Sequence, residues 1–357
     1  MKKLHQAAVV DLFCGIGGLA HGFLLEGFSI VAGIDNDASC EFAFTKNNKA
    51  RFIHKDADKL NASEIIELYP KNSIKILIGC APCQPFSRYT SGLKPKNPDS
   101  KWSLLTTFAR IIEAVQPDVV SMENVPQLAK FDKNRVYSDF IKTLTKNGYF
   151  ISDPHKIVYC PEYGVPQNRK RLVVLASRLG EIDLIPPIYC KSNLPTVRQA
   201  IGKMPKIEDG EAYEKDLIHR AQKLSSLNKR RIQNTKEGGG WRDWPDDLKL
   251  DCHRRLQGTA FNDVYGRMRW DEPAPTLTTH CTGLSNGRFG HPEQDRAISL
   301  REAAILQSFP PAYKFKVIRD GGVANADLQR HIGNAVPVEL GRAIAKSVKK
   351  HLRKYFK

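Results

Sequence analysis

Short apolar runs alternate with helical periods through the first half of the chain. Ala7–Phe13 is a strand-like run that breaks into Cys14-Gly15-Ile16-Gly17-Gly18, and Leu19–Glu26 follows as a helix. Ser29–Ile34 predicts a second strand ending at Asp35, and Ala38–Asn47 a helix. Ile74–Ile78 predicts a third strand, running out toward Cys80 and Cys83. Leu104–Val115 is helical, and Val119–Met122 is strand-like just before Glu123. Asp139–Asn147 is helical with Gly148 as its stop, and Arg171–Ala176 is again strand-like. Strand and helix at this spacing predict an α/β layer fold with a mostly parallel sheet. Ligands of such folds sit outside the carboxyl ends of the strands, which directs attention to Phe13, Asp35, Cys83 and Glu123.

The pattern changes past Leu179. Pro186, Pro187 and Pro195 punctuate the chain, and residues 208–250 are polar, with Gly238-Gly239-Gly240 beside Trp241 and Trp244. Residues 180–295 therefore read as a smaller, irregular, loop-rich domain. Helical periodicity returns at Ser299–Leu306, with Ser299 a cap ahead of Glu302, and again at Val338–Leu352, which runs into a basic tail. The expected division is 1–180, 181–298 and 299–357, the last segment returning to the first domain.

Charge adds a partner class. Lys and Arg number 55 against 38 Asp and Glu, a formal charge of +17, which suits a polyanion such as a nucleic acid and equally an anionic membrane surface. No uncharged apolar run approaches the roughly 18 residues of a membrane span, and no secretory signal opens the chain, so a cytoplasmic protein is expected. Eight cysteines are too sparse for a disulfide scaffold in so long a chain. Cys80-Ala81-Pro82-Cys83 is a C-x-x-C, but no second such pair or histidine pair at zinc spacing accompanies it, so no metal is expected.

The glycine turn after the first strand offers backbone N–H groups to a nucleotide-like ligand, and alone it reads equally as a tight structural turn. It lacks G-x-G-x-x-G spacing, and no phosphate-binding lysine follows it. Asp35 is placed to accept ribose hydroxyls, and Asp56 or Asp58 to hold an adenine amino group, so an adenosine ligand without a phosphate chain fits. Cys83 by itself reads as a buried core cysteine or a nucleophile, and Glu123 as a helix cap or a site residue.

Six segments in order resemble the motifs of the DNA cytosine-5 methyltransferases: Asp11–Gly18, Gly79–Ser87, Glu123-Asn124-Val125, Gln167-Asn168-Arg169-Lys170-Arg171, Arg301–Pro310 and Gly333–Pro337. The resemblance spans nearly the whole chain. It implies a Rossmann-like S-adenosylmethionine-dependent sheet with a smaller target-recognition domain, and a catalytic set of Cys83, Gln84, Glu123, Arg169 and Arg171. Cys83, between Pro82 and Gln84, is the implied nucleophile and Cys80 its neighbour. Pro85–Ser100 is an implied lid. Glu123 is implied to meet cytosine N3 and the exocyclic amine, Arg171 to meet O2, and Arg169 to hold the glutamate or the loop. Both arginines also fit backbone-phosphate contacts.

The implied S-adenosylmethionine site comprises Phe13, Gly15, Gly17, Asp35, Asp56, Pro82, Asn334 and Val336. One departure is Asn36, where the family often carries a bulky apolar residue against adenine, a contact left to Ile34. The implied substrate is double-stranded DNA with the target base flipped out. Base reading falls to the irregular domain, with Arg254, Arg255, Gln257, Asn262, Arg267, Arg269 and Arg288 as candidates and Thr276-Leu277-Thr278 as a family-like element. The same chemistry on tRNA and a catalytically silent DNA-binding homologue are the rival readings. A bacterial monomer associated with the nucleoid, with a separate cognate restriction endonuclease, completes the expectation.

Overall fold

The computed structural model describes residues 6–82, 103–130, 135–254, 263–315 and 325–356. The chain forms two compact units. The first contains residues up to Tyr163, Lys170–Pro187 and Val336 onward, and the second contains Gly164–Arg169 and Ile188–Ala335.

The first unit is built on a seven-stranded sheet in the order β3-β2-β1-β4-β5-β7-β6. Its strands are β1 Ala7–Leu12, β2 Ser29–Asp35, β3 Arg51–His54, β4 Ile74–Gly79, β5 Val119–Asn124, β6 Ile157–Tyr159 and β7 Lys170–Ser177. Strands β1 to β5 pair in parallel, whereas β7 runs antiparallel to β5 and to β6. All six residues of β1 are buried, which explains why its sequence, AAVVDL, shows no alternation: helices cover both faces. Those helices are α1 Gly18–Leu25, α2 Glu41–Asn48, α3 Ala62–Leu68, α4 Ser103–Val115, α5 Gln127–Lys130 and α6 Val136–Lys146. On one face, Leu105, Phe108, Ile111 and Ile112 of α4 pack with Tyr137, Phe140 and Leu144 of α6 on the apolar side chains of β1, β4 and β5. Gly148, at φ 79°, follows α6 as its expected stop.

The last helix, Val338–Leu352, packs on α1. A Cβ added at Gly22 would overlap the backbone of Gly341 and Arg342, so glycine is what lets the two helix backbones touch. Glu26 fastens the same contact, accepting from Arg342 Nε at 2.9 Å while its carbonyl accepts from Lys349 Nζ at 2.8 Å. Part of the basic tail is thus spent inside the unit.

The second unit has little regular structure: a small hairpin, Ala212–Tyr213 with Asp216–Arg220, and short helices. Buried arginines take the place of a sheet. Arg296 is fully buried and grips the Glu302 carboxylate with both terminal nitrogens, at 2.8 and 2.7 Å. Ser299 and Glu302 form the expected capping box of helix Leu300–Leu306. Arg267 donates to the carbonyls of Thr235, Ile232, His291 and Gln294 and pairs with Asp295. Trp241 stacks on His253 at 4.5 Å beside Trp244 and Leu248, a separate small core. No helix among the described residues is long and apolar enough to cross a membrane.

Candidate active site

Strand register brings the chemistry together at one end of the first sheet. In the parallel pair β4–β5, Gly79 lies opposite Met122, so the next residues, Cys80 and Glu123, emerge side by side. In the antiparallel pair β5–β7, Glu123 lies opposite Val173, and Arg171, two residues along, shares its face as a diagonal neighbour. The result is a buried carboxylate, 2% exposed, held from two sides. Arg171 Nε sits 2.9 Å from Oε1, and the Cys80 thiol donates to Oε2 at 2.8 Å. Burial, followed by the Glu123 carboxylate beside it, pushes the Cys80 thiol well above its usual range. Asn124 locks the adjoining turns: its Nδ2 donates to the carbonyl of Ala81 at 2.9 Å, and its Oδ1 accepts from Val125 N. Pro82 follows, exposed. Cys83, Gln84 and the expected lid, Pro85–Ser100, lie outside the described residues.

A second cluster surrounds the turn after β1. Phe13 takes φ 58° and meets Phe108 edge-on at 6.2 Å. Gly15, at φ 50°, faces open space where a side chain would start, and its N–H donates to Asp35 Oδ2 at 2.8 Å. Asp35 Oδ1 accepts from Asp37 N at 2.9 Å, which leaves each oxygen a further lone pair. Gly17 serves the packing instead: a side chain there would collide with Asn48 and Phe44 of α2. Asp11, beneath the turn, is buried with no hydrogen-bond partner for Oδ2, and burial and then the charge of Asp35 raise its pKa well above the usual carboxylate range. Asp56, part-exposed, accepts from Asp58 N. Asn36 is exposed, while Ile34 is buried in the sheet core.

These groups fit S-adenosylmethionine. The Gly15 side of the turn is open, carboxylates stand at the strand ends, and residues 13–22 contain no lysine or arginine that would call for a phosphate.

Arg169 goes elsewhere. It belongs to the second unit, where Nη1 donates to Gln167 Oε1 and the carbonyl of Leu277, and Nη2 to the carbonyl of Gly333. These bonds tie Arg169 to the loops around it. Gln167 also accepts from Leu277 N and donates to Gln307 Oε1, and Gln307 Nε2 donates to the carbonyl of Ile332. Three of the six sequence segments, with the Thr276-Leu277-Thr278 element, meet in this knot. Gln307 lies in the Arg301–Pro310 segment, where sequence reasoning assigns it no individual role. Asn334 is the exposed last residue of helix Asn325–Asn334, and Val336, buried, begins the return to the first unit.

Two candidate base readers are corrected. The Arg267 side chain is buried and committed to the carbonyls named above, and Arg288 Nη1 is committed to the carbonyls of Gly238 and Gly239. Both hold loops. Arg254 and Arg269 remain more than half exposed, and Arg255, Gln257 and Asn262 lie outside the described residues.

The family model of the C-5 cytosine-specific DNA methylases matches residues 7–350. The chain belongs to that family. It is 51% identical to the Type II methylase M.HgiDII of Herpetosiphon aurantiacus over 97% of this chain and 96% of that one. It is 30% identical to the Type II methyltransferase M.Eco47II of Escherichia coli, covering 95% and 78% of the two chains. The fold is shared with a chain encoded within an Escherichia coli prophage, at TM-score 0.74, 21% identity and coverage of 97% and 99%. It is also shared with the Entamoeba histolytica methyltransferase EhMeth, at TM-score 0.62, 18% identity and coverage of 97% and 98%. This cytosine-5 methyltransferase therefore moves a methyl group from S-adenosylmethionine to C5 of cytosine in duplex DNA. Because C5 and C6 are enclosed in the base stack, the target base is flipped out for the reaction.

Proposed function

We propose that Cys83 of this methyltransferase adds its thiolate to C6 of the flipped cytosine. Addition makes C5 enamine-like and nucleophilic. After methyl transfer, loss of the C5 proton and departure of the thiolate restore the aromatic ring. The observation that carries this reading is the buried Glu123, clamped by Arg171 at the carboxyl end of β5. Glu123 shares a proton with cytosine N3 and accepts from the exocyclic amine, while Arg171 faces O2, where negative charge gathers as the thiolate adds. Gln84 adjoins the nucleophile, and Arg169 positions the loop that carries Arg171.

Phe13, Gly15, Gly17, Asp35, Asp56, Pro82, Asn334 and Val336 would hold S-adenosylmethionine. Bound there, it supplies a sulfonium-activated methyl. Phe13 faces the adenine, Asp35 takes the ribose, Asp56 the adenine edge, and Gly17 shapes the turn from its packed side. Target recognition belongs to the second unit, within the expected span 181–298 and about the Thr276-Leu277-Thr278 element. The enzyme acts as a monomer in a bacterial cytoplasm, associated with the nucleoid through DNA. The Type II names of its relatives support a cognate restriction endonuclease encoded separately.

The test is label transfer from radioactive S-adenosylmethionine to mixed-sequence duplex DNA, with tRNA in parallel, followed by digestion and identification of the modified base. Cys83→Ala should transfer no label while still binding DNA. Retained transfer by that variant refutes the nucleophile, and label in tRNA alone moves the substrate.

A further inference from the structure

Two side chains grip the Glu123 carboxylate, and only one of them carries a charge. Arg171 occupies Oε1, and the Cys80 thiol occupies Oε2 at 2.8 Å. We infer that Cys80 is a positioning residue for methyl transfer: its thiol is the donor that fixes Oε2 of the Glu123 carboxylate. The inference rests on the role proposed above for Glu123.

The sheet makes the contact obligatory. Gly79 pairs with Met122, so residue 80 is level with Glu123 across adjacent parallel strands. Asn124 pins the backbone just beyond, through the carbonyl of Ala81, so the main chain at residue 80 is held beside Glu123. A buried carboxylate oxygen without a donor is costly, and Arg171 reaches Oε1 through Nε while its Nη1 donates to the carbonyl of Lys170. Oε2 thus depends on residue 80. Burial and the neighbouring carboxylate keep the thiol protonated, so it acts there only as a donor and does not compete with Cys83 as a nucleophile. A thiol also donates a weaker hydrogen bond than a hydroxyl, so it yields Oε2 readily when the exocyclic amine of cytosine arrives.

A hydrogen bond to the charged form of a carboxylate favours that form, so loss of the donor should show in the pH dependence of turnover. The experiment is the pH profile of kcat/KM for Cys80→Ala, Cys80→Ser and Glu123→Gln, with S-adenosylmethionine binding measured for each. In Cys80→Ala, the profile should move to higher pH by about 0.5–1 unit, as expected for loss of a weak charge-assisted bond. Cys80→Ser keeps a donor and should return the profile to within about 0.3 unit of the parent. Glu123→Gln should be inactive.

An unshifted profile in Cys80→Ala, with Glu123→Gln inactive, overturns the inference and leaves the role of Glu123 standing. Parental turnover in Glu123→Gln overturns the role of Glu123 itself. A serine variant as displaced as the alanine variant also overturns the inference, because the donor would not be what matters. If Cys80→Ala does not bind the cofactor, Cys80→Gly, which also lacks a donor, takes its place with the same expected shift.

Discussion

Replacing Arg296 by methionine tests whether a buried ion pair holds the second unit together. Glu302 is 1% exposed and Arg296 fully buried. Burial alone would raise the Glu302 pKa, but the hydrogen bonds and charge of Arg296, with His291 and Ser299 N behind them, lower it from 4.5 to about 2. Arg296→Met removes the compensation and leaves a carboxylate in an apolar setting, so the expected loss is about 3–5 kcal/mol. Arg296→Met with Glu302→Leu removes both charges and should recover much of the loss. It will not recover all of it, because the half of the capping box in which Glu302 accepts from Ser299 N goes too, while Ser299 keeps its bond from the backbone N–H of residue 302. Urea unfolding followed by tryptophan fluorescence suits the question, since three of the four tryptophans, Trp241, Trp244 and Trp270, lie in the second unit. A single variant with the parent's midpoint, or a double variant less stable than the single one, would refute the reasoning.

Three further outcomes follow from contacts described above. Burial lowers the His291 pKa from 6.5 to about 4, so the unfolded chain takes up the proton first; stability is full above pH 6.5 and falls by about 3 kcal/mol on acidification to pH 4, a slope that His291→Phe should flatten in urea melts. Gly22→Val drives a side chain into the backbone of Gly341 and should cost about 1–3 kcal/mol or more, read as a lower Tm; an unchanged Tm means that the helices separate freely. Asp35→Asn keeps the size but loses the charge proposed to face the ribose, and calorimetry should show S-adenosylmethionine binding weakened about tenfold or more, whereas parental affinity would remove Asp35 from the site.

The first unit was largely legible because its central strands are buried on both faces and read as continuous apolar runs, as in Ala7–Leu12 and Val119–Met122. Edge strands were not: Arg51–His54 and Ile157–Tyr159 are short and half-exposed, too brief for a period to emerge. The short helix Ala62–Leu68 was also missed, although Asn61 and Glu64 form a capping box ahead of it. The irregularity of the second unit was foreseen, but its organisation was not, because buried arginines that reach backbone carbonyls leave no periodic trace. The same limit applied at the site. Glu123 and Arg171 stood out at strand ends, whereas the pairing of Cys80 with Glu123, 43 residues apart, follows from strand register and cannot be read from spacing. Arg267 and Arg288 looked like base readers for the same reason: an arginine's exposure is not written in its neighbours.

The packing of the last helix on α1 has a consequence for synthesis. Nearly all of the second unit is translated between Pro187 and Val336, before the helix that completes the first. On the ribosome, residues 188–335 can gather their own contacts while α1 still lacks the partner that Gly22 and Gly341 admit. The nascent chain therefore finishes the second unit, to which target recognition is assigned by proposal, before the first, and a chain stalled short of residue 336 leaves α1 uncovered, a surface for chaperones and proteases to find.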